Sequence, residues 1–135
     1  MTLVVQQEPE VSFVEVVQLF DSSNFPDEQT RFSELQVEKM LFNSNLIVTA
    51  RLETRLIGIA VSMSNFVSVC FLVLFAVDPD NQRSGIGRRL IDETRKIVGG
   101  DKVSFVTVST PGAVEFYEKI GLNRCINAFI APRRR

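Results

Sequence analysis

A mixed α/β domain around one sheet is the fold class the sequence predicts, on three observations. The chain has 135 residues, about the length of one domain. Its 45% hydrophobic and 23% charged residues can bury a core and are unlike the composition of disordered chains. Its β-branched runs and helix-period segments follow the order β-α-α-β-β-β-α-β-α-β. No repeat, linker or low-complexity segment interrupts that order, so residues 1–135 are expected to form a single domain.

Residues 3–6 are a short β-branched run before Pro9 and suit an opening strand. Pro9 then begins a helix whose apolar residues Phe13, Val14, Val17 and Phe20 recur at helical spacing. The cluster DSSNFPD over 21–27 reads as a turn, with Asp27 capping a second helix faced by Phe32, Leu35, Met40 and Leu41. Strands are expected over 45–52 and 55–64, joined by a hairpin at Glu53 and Thr54. A long buried strand over 66–77 ends at Asp78 and Pro79. The next helix starts near Gly85, presents Ile86, Leu90, Thr94, Ile97 and Val98, and stops at Gly99 and Gly100. Residues 102–109 make a fifth strand; Thr110 and Pro111 open a helix that ends at Gly121, and residues 122–131 make the last strand.

Composition removes several function classes. Fifteen Lys and Arg against 16 Asp and Glu leave a net charge of −1, no global field for nucleic acid or an anionic membrane, so any anion site is local. The absence of His removes His general bases, Ser-His and Cys-His nucleophile pairs, and His-containing metal sites. Cys70 and Cys125 are too few for a disulfide scaffold or a four-cysteine zinc site, and both suit structural thiols in a reducing cytoplasm. The longest apolar stretch, 66–77, is too short to span a bilayer, and the N-terminus lacks the pattern of a secretory signal.

The chemistry is concentrated in the segment V-D-P-D-N-Q-R-S-G-I-G over 77–87, which leads from a buried strand into a helix N-terminus. Gly85 and Gly87 let backbone amides approach an anion, and the helix dipole adds partial positive charge. Arg83, Arg88 and Arg89 crowd the same turn, which suits a pyrophosphate. A dinucleotide fingerprint needs a third glycine where Leu90 stands, and a P-loop needs Gly-Lys-Ser or Gly-Lys-Thr; both fail.

The pattern V-x-P-x-x-Q-x-x-G-x-G-x-x-L, filled by Val77, Pro79, Gln82, Gly85, Gly87 and Leu90, resembles the acyl-CoA-binding motif of the GNAT superfamily of N-acetyltransferases. A second match, A-x-x-F-Y-E-K-x-G, is filled by Ala113, Phe116, Tyr117, Glu118, Lys119 and Gly121. The two occur in the family's order, one strand apart, and the element order resembles the family throughout. The resemblance implies acetyl-CoA as acyl donor, a primary amine of a small molecule or peptide as acceptor, and no metal. It places the acyl-pantetheine arm along Phe75, Ala76 and Val77. It places the pyrophosphate on the turn from Gln82 and Arg83 through Ser84, Gly85, Ile86 and Gly87 to Arg88. Tyr117, the only tyrosine, matches the family's acid that protonates the departing thiolate, a role that suits a phenol protonated at neutral pH.

The sequence departs from the family where relatives carry a carboxylate on the fourth or fifth strand. Residues 66–77 hold no Asp or Glu, Thr107 stands where some relatives carry Glu, and Thr110 where an Asn is common. Glu28, Glu34, Glu38 and Glu53 are the carboxylates open as a base. An acyl-CoA-binding sensor or interaction module with little turnover is therefore the alternative reading, and a plain scaffold with an incidental glycine turn a third. The first two helices and their connection are expected to shape the acceptor pocket, and a homodimer is left open.

Overall fold

The computed structural model describes residues 2–23, 32–82 and 84–134. Strands β1 (Leu3–Gln7), β2 (Leu46–Leu52), β3 (Arg55–Ser64), β4 (Val69–Val77) and β5 (Ser104–Thr107) form one sheet in that spatial order. The first three pairings are antiparallel; β5 joins β4 in parallel. Helices α1 (Phe13–Ser22) and α2 (Glu34–Asn43) cover one face. Helices α3 (Ile86–Val98) and α4 (Val114–Lys119) cover the other.

Local chemistry sets where each element starts. The second helix begins later than expected: Ser33 is its cap, accepting from the Gln36 amide while the Gln36 side chain accepts from the Ser33 amide. This reciprocal capping box satisfies two otherwise orphaned donors. Asp27, the expected cap, and Glu28 lie outside the described residues. The face also differs from expectation. Val37 is the buried residue of α2, and Leu35 is 74% exposed. On α1, Val16 and Leu19 are buried while Val14 is exposed, and the helix continues through Asp21 and Ser22 into the expected turn.

The long strand begins three residues later than expected. Asn65 Oδ1 accepts from the amides of Val67, Ser68 and Val69, and Phe66 takes a left-handed φ of 60°, so residues 65–68 turn instead of pairing. Phe66 and Phe71, within the stretch expected to be a buried strand, are 47% and 37% exposed. A short 3₁₀ turn at Gly100–Lys102 delays β5, and another at Pro111–Ala113 precedes α4, where the Thr110 side chain makes no cap bond.

The expected last strand is absent. Residues 122–134 carry no strand, with Ile126 fully exposed and Phe129 98% exposed. Strand preference is realised only against a neighbouring strand, and the polar groups here bond locally: Arg124 to Glu118, and the Cys125 thiol to Asn127 Oδ1. The end of the segment returns to the α1/α2 face, where the Arg133 guanidinium lies 4.8 Å over the Phe32 ring.

Two cores result. Leu46, Val48, Ile57, Leu90 and Ile91 lie at the centre of the α3 side, and Val16, Leu19, Ile59 and Val61 at the centre of the α1/α2 side. A polar tie fixes α1 to the sheet. Arg51 donates to Glu8 through Nε at 2.8 Å and to Glu15 through Nη1 at 2.8 Å, while the fully buried Thr49 hydroxyl donates to Glu8. Burial opposes Glu8 ionisation, but the Arg51 and Thr49 bonds outweigh it and hold its pKa below the ordinary value. A depressed carboxylate pKa contributes stability above the unfolded pKa of about 4.3, lost as pH falls through the folded value. The advantage of the native chain over Glu8→Gln in thermal melts should therefore be full at pH 7 and vanish on acidification below about 4. Arg51→Met, which leaves two facing carboxylates, should cost about 1–3 kcal/mol in urea unfolding at neutral pH.

Candidate functional site

The site begins at a break in the sheet. β4 and β5 pair only from Val69 with Ser104 to Leu72 with Thr107. Opposite β3, Val61 pairs Leu74 and Ser62 pairs Leu72, which leaves Val73 as the extra residue of a bulge. The bulge reverses the alternation of β4: Cys70 and Leu72 face the α3 core, whereas Leu74 and Ala76 face the α1/α2 core. Beyond it β4 continues alone, so Phe75, Ala76 and Val77 pair with Ala60, Ile59 and Gly58 on one side and with no strand on the other.

Aromatic side chains line the α3 side of this opening. The Phe75 ring stacks on Phe116 at 5.5 Å between centroids, and Phe116 meets Tyr117 edge-on at 5.1 Å. The Tyr117 phenol is pushed up from its ordinary pKa by burial, with a hydrogen bond to Thr107 opposing the shift. It is thus a neutral donor at physiological pH, held beside the last paired residue of β5. Thr107 also donates to the Leu72 carbonyl. Sequence reasoning placed Tyr117 but missed Thr107 as its partner, because a strand threonine carries no positional signal.

The glycine turn lies next to these rings. Asp78 closes β4, its amide bonded to the Ile57 carbonyl and its carboxylate accepting from the Asp80 amide. Gln82 Nε2 donates to the Val77 carbonyl at 3.1 Å, and the Ser84 hydroxyl donates to the Asn81 carbonyl. Both side chains therefore shape the turn, and the Ile86 side chain is buried. Gly85 caps α3 at φ +81°, and the Gly85 carbonyl accepts from the Arg89 amide. The amides of the first turn ahead of Arg89 precede that bond, where a helix lacks internal acceptors. No side chain caps them and no acidic residue stands in the first turn. Arg88 is exposed and approaches Asp92 at 3.8 Å, whereas Arg83 lies outside the described residues.

Gly87 has a second reason to lack a side chain. A Cβ there would lie 3.0 Å from the Phe116 ring and 3.2 Å from the Phe75 ring, so the helix start and the aromatic cluster meet at this position. A Cβ at Gly85 would meet open space.

On the opposite face a cavity of about 340 Å³ lies between α2 and the β3/β4 sheet, with Phe32, Met40, Met63 and Val73 as its apolar walls. It reaches the bulge through Val73. None of its described lining residues is a carboxylate. The candidate bases among the described residues lie elsewhere. Glu34 and Glu38 are on α2 but do not line it, and Glu53 accepts from the Thr2 amide at the β1 edge. Cys70 is buried, its thiol pKa raised by desolvation, and Cys125 is exposed. Among the described residues no group of three or more His, Cys, Asp or Glu is placed to hold a metal ion.

Residues 12–131 match the family profile described as an acetyltransferase (GNAT) domain. The chain belongs to the GNAT acetyltransferase family. Its fold is similar to that of protein SA2161 from methicillin-resistant Staphylococcus aureus, with a TM-score of 0.79, 18% identity and 99% of each chain covered. It is similar to the aminoglycoside acetyltransferase meta-AAC0020 from an uncultured soil metagenomic sample, solved with sisomicin, at TM-score 0.70 and 17% identity over 98% of this chain and 97% of that one. It is also similar to the ribosomal-protein-S18-alanine N-acetyltransferase of Escherichia coli, at TM-score 0.71 and 19% identity over 92% of this chain and 79% of that one. No curated protein matches the chain by sequence.

The two glycines should separate backbone cost from packing cost. Gly85→Ala should lose about 1–2 kcal/mol in urea unfolding, the cost of a left-handed conformation with a side chain, without disturbing neighbours. Gly87→Val should lose about 1–3 kcal/mol by overpacking and alter the near-ultraviolet dichroism of the aromatic cluster.

Proposed function

We propose that residues 1–135 act as one cytoplasmic N-acetyltransferase domain that moves an acetyl group from acetyl-CoA to a primary amine by direct attack. The observation that carries this reading is the meeting of three features at one break in the sheet. They are the unpaired edge of Phe75, Ala76 and Val77, the uncapped first turn of α3, and the neutral phenol of Tyr117. Among the described residues no helix is long and apolar enough to cross a membrane.

Acetyl-CoA, when bound, supplies an acyl group activated as a thioester. The first-turn amides from Gly85 to Arg88, with Arg83, would hold its pyrophosphate, while Gln82 and Ser84 act by shaping the turn. The open edge of β4 would hold the pantetheine arm. The cavity behind Val73 would bring the amine to the other side of the break, so that its nitrogen reaches the carbonyl carbon between the two strands. As the carbon–sulfur bond breaks, Tyr117 Oη donates its proton to sulfur, and the amine's surplus proton leaves to water. The phenol then regains a proton from solvent. Neither cysteine suits an acyl-enzyme: Cys70 is buried with a raised pKa, and no His is present to activate Cys125.

Tyr117→Phe should lower kcat by roughly 10²–10⁴-fold with little change in acetyl-CoA affinity by calorimetry; an unchanged kcat for a chemically limited substrate would leave Tyr117 as packing alone. With no carboxylate in the described lining of the cavity, the pH profile should follow the amine itself. An alkylamine with a pKa of about 10.4 must arrive through its small neutral fraction, so its kcat/KM should keep rising past about pH 8. The raised Tyr117 pKa keeps the acid protonated over that range. A plateau with an apparent pKa of roughly 6–7, removed by Glu28→Gln, would instead identify a carboxylate base.

A further inference from the structure

The cavity behind Val73 has a chemical character that narrows the acceptor. Its walls are Phe32, Met40, Met63 and Val73, and its polar lining comes from α2. Most of those polar groups are already engaged by that helix. Asn43 Nδ2 donates to the Lys39 carbonyl, Ser44 Oγ to the Met40 carbonyl, and Gln36 Oε1 accepts from the Ser33 amide. Lys39 is the one ionisable side chain of the lining, exposed at the rim and free of ion pairs among the described residues.

An apolar cavity whose described lining holds one cation, Lys39, and no carboxylate favours one kind of amine. A polycation would place its extra ammonium groups against Lys39 with no counter-charge from the described lining. A molecule with an apolar body and an acid group fills the walls and gives Lys39 a partner. Resting on the acetyltransferase reading above, we infer that the acceptor is a small primary amine whose apolar body carries a carboxylate or similar acid, as an apolar amino acid does, and that Lys39 determines this specificity. The volume of about 340 Å³ matches a molecule of that size.

The experiment compares kcat/KM for phenylalanine, phenylalaninamide and spermidine at one pH, in the native chain and in Lys39→Glu, with acetyl-CoA affinity measured separately by calorimetry. With kcat/KM expressed per neutral amine, the native chain should prefer phenylalanine to its amide by about tenfold and use spermidine worst. Lys39→Glu should reverse the phenylalanine-to-amide ratio without changing acetyl-CoA affinity; the intrinsic pKa of each amine cancels between the two proteins. Met63→Trp, which fills the cavity, should raise KM for phenylalanine and leave acetyl-CoA affinity unchanged. A preference for spermidine, a ratio that Lys39→Glu does not move, or acetyl-CoA binding without transfer to any of the three would overturn the substrate class. Failure to bind acetyl-CoA would overturn the reading beneath it.

Discussion

The extra residue at Val73 is the constraint on which the site depends. Without it, β4 would keep one alternation from end to end, with Leu74 and Ala76 on the same face as Cys70 and Leu72. With it, the C-terminal half of the strand turns over, and the aromatic ring of Phe75 comes to the α3 side. The same irregularity coincides with the point where β5 stops pairing. A sheet edge inside a domain is normally covered, because unpaired backbone groups are costly to bury. An opening maintained there leaves hydrogen-bonding groups for a ligand with an extended amide-containing arm, and it connects the two faces of the sheet at a single residue.

The packing around that opening converts a loose turn into a defined one. Gln82 ties the turn back to the end of β4, and Asp78 ties it to β3, so the start of α3 is fixed relative to the strand it follows. Phe75 and Phe116 then close over Gly87, which makes one glycine serve both the helix start and the aromatic contact. Tyr117 packs edge-on against Phe116 from the other side. The glycine turn and Tyr117 therefore belong to one contact network, although they lie about thirty residues apart in the chain.

Much of this was legible in the sequence because it depends on local rules. The strand over 55–64 is observed as expected, since a continuous apolar run follows the Glu53–Thr54 turn, where Glu53 takes φ 57°. The face of α3 follows from its helical period and its flanking glycines. The cap of α2 was readable too, as the Ser-x-x-Gln of Ser33 and Gln36, but Asp27 gave a competing signal in the preceding turn. The bulge was not readable, because residues 71–77 are apolar throughout and show no alternation whose phase could slip. The last strand failed for a tertiary reason: residues 122–131 have strand-forming composition but no strand beside them, so their apolar side chains remain in solvent.

The two halves of the site share one electrostatic preference. Burial raises the Tyr117 pKa and keeps the phenol protonated at physiological pH. The apolar walls of Phe32, Met40, Met63 and Val73 penalise an ammonium in the same way, because a low-dielectric surface disfavours the charged form of any group brought against it. For an amine the neutral form is also the nucleophile. In the proposed reaction desolvation would act in one direction on both reactants, holding the phenol neutral and favouring the amine that has already lost its proton. A carboxylate in the cavity would help to remove that proton but would also stabilise the ammonium beforehand. The described lining holds no carboxylate, and its one ionisable side chain is the exposed Lys39.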